Sequence, residues 1–508
     1  MASQRRHKHK YRDARDGHKS KPYSQQSSLQ TKSGGPGQSL RNAILLRQRV
    51  VIVGGNVQGL VLGMILERIG IDYLILERSF NHGITAGVQV LGAFALNLFE
   101  MLGILGQIKD AASELHRMRI WTESGVPQAE ADFTGAEERF SHNGAVVSCR
   151  VLQDLMRAEI PEHKMKDGKE VTGYEQDADE VRVLCSDGSV YRGVILVGCD
   201  GVQSTVRRLL HEESGADLPA RDRVQSRRTC IVTGATRTLD GTTLLDPDSL
   251  QNLFELEYAN NQVVIGQSTP YVAWMLPIPN EPRISWMITY NQPVDSLPAF
   301  DDDNEPGPDS MDRPSVGQEF LSQVRQENED SNVVSVESRV HMGDILDQTD
   351  PHDIRVVQNQ RRLYDMWFKG RVVLAGDACH ALVPGGGQGV LQAMLDAYSL
   401  APLIKHALLS SLDIAGEGQL EHISVAFECY KRERYDIARD AVEASTNLSQ
   451  LLTQQQGPSF DQQQPQMPGQ FHIDFAFDFF PGWLQRYAER RPFGQDEDEN
   501  ENEDEDEL

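Results

Sequence analysis

No Cys-x-x-Cys pair occurs among the six cysteines of this 508-residue chain, Cys149, Cys185, Cys199, Cys230, Cys379 and Cys429. Their scatter excludes a zinc knuckle and a disulfide framework, and it points to a reduced, intracellular compartment with no metal expected. Long apolar runs are missing too: no uncharged stretch reaches the roughly 18 residues of a spanning helix. The basic, polar start Met1–Lys10 has no apolar signal-type segment behind it. These absences predict a protein without a transmembrane segment, cytoplasmic rather than secreted. Basic charge is scarce: 49 Lys and Arg stand against 75 Asp and Glu, a net charge of −26. Such a molecule repels phosphate backbones and anionic lipid, which excludes nucleic acid as its principal partner. No repeat of 20 to 50 residues is found, so solenoids and propellers are excluded.

What is present is a globular middle between two polar ends. Up to Arg41 the chain carries ten Lys or Arg against Asp13 and Asp16, with almost nothing apolar, which predicts a disordered basic arm over residues 1–45. Whether that arm carries a targeting signal stays open. The segment 496–508 holds ten acidic residues and no basic one, a self-repelling extended tail. Between them, 301–314 (DDDNEPGPDSMDRP) reads as a surface insertion and 453–470 as a Gln/Pro linker. An alternating aromatic stretch, Phe471–Phe480, follows within a 453–495 appendage. Its Asp474 and Asp478 favour packing on the protein, with peripheral membrane contact left open.

Val50–Val53 is a β-branched run that stops at Gly54-Gly55, and Leu60, Met64, Ile65 and Ile69 then fall at helical spacing until Gly70. A second apolar run, Tyr73–Leu76, ends in Glu77-Arg78. Strand, glycine turn, helix, strand and acidic residue make the βαβ unit that sets a pyrophosphate on a helix N-terminus and a carboxylate on a ribose. Glu77 lies 18 residues beyond Gly59, as that geometry requires. Gly54 and Gly59 take the first and third positions of the G-x-G-x-x-G pattern, and Asn56 stands at the second, where the backbone approaches the phosphates. Its side chain must therefore point away from the phosphates or bond to them.

Two later segments repeat the theme. Val181–Leu184, Asp187-Gly188 and Val194–Val197 read as a hairpin feeding a strand that ends in Gly198-Cys199-Asp200-Gly201, with Ser204 and Arg207 on a new helix. Downstream, Gly370–Leu374 runs into Ala375-Gly376-Asp377-Ala378-Cys379-His380, then Pro384, Gly385-Gly386-Gly387-Gln388-Gly389 and a helix through Asp396 to Ala401. This too is a site for a polar, anionic ligand.

With GGNVQG and Glu77, CDGVQSTVR and RVVLAGDACHALVPGGGQG in this order, the chain resembles the single-component FAD-dependent monooxygenases, the flavoprotein aromatic hydroxylases that include para-hydroxybenzoate hydroxylase. The likeness spans about Val50 to Leu409, and Tyr430 and Arg434 resemble the family's Tyr-x-x-x-Arg element. It implies an α/β fold: a three-layer, Rossmann-like FAD-binding domain in two pieces, 46–225 and 356–452, the second including C-terminal helices. A mostly antiparallel β-sheet substrate domain, 226–355, is inserted between them. The resemblance further implies that Asp377 accepts hydrogen bonds from the ribityl hydroxyls, and that Gly387, Gln388 and Gly389 aim backbone N–H groups at the flavin's pyrimidine edge. Arg150 matches a cofactor-contacting arginine, Asp200 and Arg207 lie in a segment used around FAD and NAD(P)H, and Pro384 matches a position near the substrate. The cofactor-binding set is then Gly54, Gly55, Asn56, Gly59, Glu77, Arg78, Arg150, Asp200, Gly376, Asp377, Gly387, Gln388 and Gly389, with the oxygen chemistry itself borne by the flavin.

The implied reaction takes NAD(P)H and O2 and inserts one oxygen atom into an aromatic or other electron-rich small organic substrate. Another FAD-dependent oxidoreductase of the same fold, an epoxidase or reductase, or a non-catalytic scaffold with partner-recruiting tails, remain alternatives. Two departures bear on the flavin: Asn56, and Leu391 where the family commonly has an asparagine against the ring. His380 reads as structural, because the cofactor supplies the reactive chemistry. Short β-like runs at 230–235, 253–257, 263–265 and 284–290 suit the substrate sheet, with Trp274, Met275, Leu276, Trp286 and Tyr290 as candidate pocket-wall residues.

Overall fold

The computed structural model describes residues 48–80, 87–122, 124, 126–133, 137, 141–215, 227–239, 259–266, 271–293, 342–350, 353–359, 362–383, 388–412, 414 and 416–453. The basic arm, the acidic tail, the 301–314 insertion, the segments after 453, the run 253–257 and the site candidates Pro384 and Gly387 lie outside them.

In chain order the elements begin with β1 (Val50–Val53), α1 (Val57–Arg68) and β2 (Tyr73–Leu76), followed by β3 (Val88–Leu91), α2 (Ala93–Met101) and α3 (Leu105–Ala111). Next come β4 (Ser113–Thr122), β5 (Pro127–Asp132), β6 (Gly144–Ser148), α4 (Cys149–Ala158) and β7 (Met165–Lys166). The hairpin region is β8 (Val171–Gln176), β9 (Val181–Cys185), β10 (Val190–Gly193) and β11 (Ile195–Gly198), leading to α5 (Thr205–Glu213). Then follow β12 (Arg227–Ala235), β13 (Ala259–Ile265), β14 (Tyr271–Pro277), β15 (Ile284–Pro293), α6 (Met342–Asp347) and β16 (Arg355–Asn359). The last are β17 (Arg362–Leu363), β18 (Phe368–Lys369), β19 (Val372–Leu374), β20 (His380–Ala381), α7 (Gln388–Ser410) and α8 (Glu417–Thr453).

A six-stranded sheet in the order β18-β19-β11-β1-β2-β7 carries the site. Its central strands are parallel, and β1, β2, β11 and β19 are buried throughout, which is why they read as unbroken apolar runs. Val53 pairs in register with Gly198, and Gly198 with Leu374, so the three strands end level. The glycine turns that follow them, more than 300 residues apart in sequence, therefore emerge at one edge of the sheet. Helices α1 and α7 pack on each other, and Val61 and Ile65 of the one line a small cavity together with Met394 and Tyr398 of the other. Each such fully buried aliphatic contributes roughly 1.5–3 kcal/mol over an exposed one. Arg371, fully buried at the entry to β19, fixes that strand. It donates to the carbonyl oxygens of Asp177, Ala178 and Val194 and to Gln419 Oε1 on α8.

The second large sheet has nine strands, in the order β16-β12-β15-β14-β13-β4-β6-β3 with β5 on β4, and its pairs are antiparallel except β13 with β4. Strands β3 to β6, from 88–148, belong to it alongside the β12–β16 region. Register separates the aromatic candidates. Trp274 and Leu276 lie in a cluster with Leu115, Met118 and Ile120. Trp286 pairs with Met275 and Gly234, the opposite face, and its indole N–H donates to Thr349 Oγ1 at 2.9 Å. With 1% exposure and a satisfied N–H, Trp286 is core rather than pocket wall. The side chain of Tyr290 falls outside the description.

Candidate functional site

The first turn follows from two constraints. Gly54 adopts φ +108°, and a Cβ there would sit 2.3 Å from the carbonyl oxygen of Cys199, so only glycine lets β1 leave the sheet beside the end of β11. Asn56 then caps α1. Its Oδ1 accepts from the Gly59 N–H at 3.2 Å, and its Nδ2 donates to the Cys199 carbonyl at 2.8 Å. The side chain thus points into the protein and ties the first turn to the second. The departure from the glycine pattern buys a helix cap and a cross-strand clip in place of a bare backbone. Asn56→Ala is expected to cost about 1–2 kcal/mol, the worth of a cap with one further hydrogen bond. A thermal melt unchanged from wild type would refute this role.

Glu77 stands at the end of β2 with both oxygens anchored. Oε2 accepts from the Gly55 N–H at 2.6 Å and Oε1 from the Ser79 N–H at 2.9 Å. A carboxylate has about four acceptor directions, so two remain for a diol such as ribose. Arg78 and Arg150 are exposed, Arg150 in the first turn of α4. Asp200 accepts from Ser204 Oγ and from the Val206 N–H at 3.0 Å, which fastens it to the start of α5. Burial raises its pKa above the ordinary carboxylate range, with those hydrogen bonds opposing. Arg207 is a link rather than a solvated surface charge. It donates to the carbonyls of Val202 at 2.6 Å and Ala378 at 3.0 Å and lies 4.1 Å over the Tyr364 ring, joining the second turn to the third.

The third turn is held from behind by a buried network. Gly376, at φ +65°, donates its N–H to Asp396 Oδ2 at 2.7 Å, and His380 Nε2 donates to the same oxygen at 2.7 Å. Arg434 Nε donates to Asp396 Oδ1 at 2.7 Å, and its Nη2 to Gln392 Oε1 at 2.7 Å. Asp396, His380 and Arg434 are fully buried. Burial pushes the Asp396 pKa up, but the charges of His380 and Arg434 and their hydrogen bonds outweigh it and hold the carboxyl below its usual value. Cys379, His380 and Asp396 bring possible ligand atoms within 4.8 Å of one another. The cation that neutralises Asp396 there is the Arg434 guanidinium, so the cluster reads as a hydrogen-bond network.

In front of this network Asp377 is exposed. The protein packed around it raises its pKa, His380 opposes that shift and Asp396 adds to it. Gln388 opens α7, is 7% exposed and leaves Oε1 without a partner, while a Cβ on Gly389 would meet nothing within 4 Å. Leu391 is buried in the core and offers no polar contact. Sequence reasoning singled out Asp377, Glu77 and Gln388 as cofactor-binding candidates and took Arg207 only as part of the second turn's segment. It passed over the partnership of Asp396 with Arg434, although the Asp396-Ala397 step and the Tyr430-x-x-x-Arg434 element both stood in view. Gln58, discussed below, carried no signal at all.

The family model described as FAD binding domain matches residues 47–226 and 317–445, more than half of the chain. The chain belongs to the FAD-binding domain family. A FAD-dependent monooxygenase of Penicillium shearii is 25% identical over 395 residues, covering 76% of this chain and 75% of that protein. One of Penicillium canescens is 23% identical over 414 residues, covering 79% and 81%. Among solved structures, Klebsiella pneumoniae HpxO in complex with FAD and uric acid has a TM-score of 0.59 at 19% identity, over 84% of this chain and 92% of that one. The protein is a flavoprotein monooxygenase of the single-component aromatic hydroxylase family, and FAD is its cofactor. The residues present fit that group: level strand ends followed by glycine turns, an anchored carboxylate with spare lone pairs, an exposed Asp377, and buried side-chain amides lacking partners. Among the described residues no helix is long and apolar enough to cross a membrane.

Proposed function

We propose that the protein uses NAD(P)H and O2 to insert one oxygen atom into an aromatic or other electron-rich small organic substrate. The second oxygen atom leaves as water and NAD(P)H is oxidised to NAD(P)+. The observation that carries this reading is the convergence of three turns at one sheet edge, with Glu77 and Asp377 presented there, in a chain similar over three quarters of its length to FAD-dependent monooxygenases. FAD, when bound, supplies the hydride acceptance and oxygen activation. Gly54, Gly55 and Gly59 shape the turn for the pyrophosphate beside Asn56, and Glu77 holds the adenosine ribose, with Arg78 and Arg150 near the dinucleotide. Asp200 supports the second turn, and Gly376 sets the angle from which Asp377 accepts the ribityl hydroxyls. Gln388 and Gly389, at the start of α7, with Gly387 before them in the sequence, offer N–H groups and the helix dipole to the electron-rich edge of the ring. Pro384 lies next to the substrate.

The domain division we infer is 46–225 with 356–452 for FAD and 226–355 for substrate, joined in the second sheet by strands from 88–148. Cytoplasmic residence belongs to the same proposal. The test is turnover of the FAD-loaded enzyme under 18O2 with NADH or NADPH and a panel of phenols and N-heteroaromatics. Product heavier by one 18O atom, with nucleotide consumed in equal amount, is expected. Reduced flavin that returns all its oxygen as hydrogen peroxide across the panel would overturn the monooxygenase reading in favour of an oxidase.

A further inference from the structure

One polar side chain at the site has nothing to bond to. Gln58 sits in the first turn of the 12-residue α1, is 4% exposed, and neither Oε1 nor Nε2 has a hydrogen-bond partner. Its place is between the first and third turns. A Cβ built on Gly376 would lie 3.3 Å from Gln58 Cγ and 3.3 Å from Oε1, so the amide packs directly against the residue that precedes Asp377. Two orphaned amide atoms in an interior cost more than an apolar side chain of the same shape, because each loses water and gains nothing. A residue of this kind, in the first turn of the helix that follows Gly54-Gly55, needs a partner that arrives with the ligand.

The chemistry of the amide says which part of the ligand that is. Nε2 needs an acceptor, and Oε1 needs a donor. Phosphate oxygens at neutral pH offer only acceptors, and in the binding mode proposed above the polar edge of the isoalloxazine ring would face the start of α7. A polyol hydroxyl is both donor and acceptor. We propose that Gln58 is a cofactor-contact residue that holds a hydroxyl of the FAD ribityl chain, sharing that chain with Asp377, the residue after Gly376. Asp377 accepts only, so the two side chains together read a run of hydroxyls rather than a single one. Asn56, turned inward to cap α1, leaves this first turn without a polar side chain toward the ligand, and Gln58 supplies one two residues later. The inference rests on FAD occupying this edge, and wild-type FAD binding tests that premise separately.

The test uses Gln58→Met, which keeps the side chain's length and removes both polar atoms, with Gln58→Ala as the second variant. The full-length apo protein is titrated with FAD and with ADP, which shares the adenosine and pyrophosphate but ends at the phosphate where the ribityl chain begins. Melting curves are recorded with and without FAD. Expected for Gln58→Met are FAD binding weakened about tenfold, the worth of one to two hydrogen bonds, and ADP affinity within twofold of wild type. The apo protein should melt at or above the wild-type temperature, since the orphaned amide is gone, while the stabilisation by FAD shrinks. Equal weakening for FAD and ADP would place the amide on the pyrophosphate and overturn the ribityl assignment. Unchanged FAD affinity, or an apo protein that melts lower in both variants with the FAD increment intact, would make Gln58 a packing residue. If wild type itself binds neither ligand, the premise fails rather than the role of Gln58.

Discussion

Asp377→Ala is expected to yield a folded protein that leaves a desalting column colourless, whereas wild type loaded with FAD keeps its absorption. Three features make this one of the largest effects. The carboxylate is exposed rather than woven into the core, so its loss leaves the Gly376–Asp396 and Arg207–Ala378 bonds of the turn standing. Charge-assisted hydrogen bonds contribute about 1.5–3 kcal/mol each. Losing those to the ribityl hydroxyls therefore weakens FAD by roughly 10- to 100-fold or more. The pKa of Asp377 is also raised, chiefly by the protein packed around it. The ionised, acceptor form is the binding form, so FAD affinity should fall as the solution is acidified through that raised pKa, beginning at higher pH than for an ordinary carboxylate near 3.9. Asp377→Asn should abolish the pH dependence along with most of the affinity. Flavin content of Asp377→Ala equal to wild type, at the same protein concentration and melting temperature, would remove Asp377 from the site.

Arg434→Leu is expected to destabilise the protein by about 3–5 kcal/mol, because it strands the fully buried Asp396 charge against a single histidine. The sign of the accompanying pH effect follows from the lowered Asp396 pKa. A depressed carboxyl contributes stability that is fully present above its unfolded value near 3.9 and is lost as pH falls below it. In Arg434→Leu that acid-labile increment should shrink, flattening the loss of stability below about pH 4. The double variant Asp396→Leu with Arg434→Leu should recover part of the stability, since no buried charge is left unpaired. Flavin retention should not recover with it, because the Gly376 N–H and His380 have lost their acceptor. Recovery of both together would mean that Asp396 serves stability alone and does not set the turn that presents Asp377.

The α/β class and the elements of the flavin edge were legible in the sequence because their signals are local. Strands β1, β2, β11 and β19 are buried on both faces, so each is a short apolar run, and each of the three turns that carry the site is marked by glycine, in the first turn at positions where a Cβ would clash. Glu77 and Asp377 were legible for the same reason, each standing at a fixed offset from a strand end. The register that levels Val53, Gly198 and Leu374 was not legible, since it depends on pairing between segments far apart in the chain. Nor was the inward turn of Asn56, which is decided by a carbonyl 143 residues away, or the face chosen by Trp286, which is decided by Thr349. Arg434 was legible as part of the Tyr-x-x-x-Arg element and Arg207 as part of the second turn's segment, but their partners were not: tertiary packing closed water off from the one and laid the other across two turns. What the chain alone determined are the hydrogen-bonding and steric limits of short segments. What only the folded protein decided is which polar groups are left to meet one another, or the cofactor, once water has been excluded.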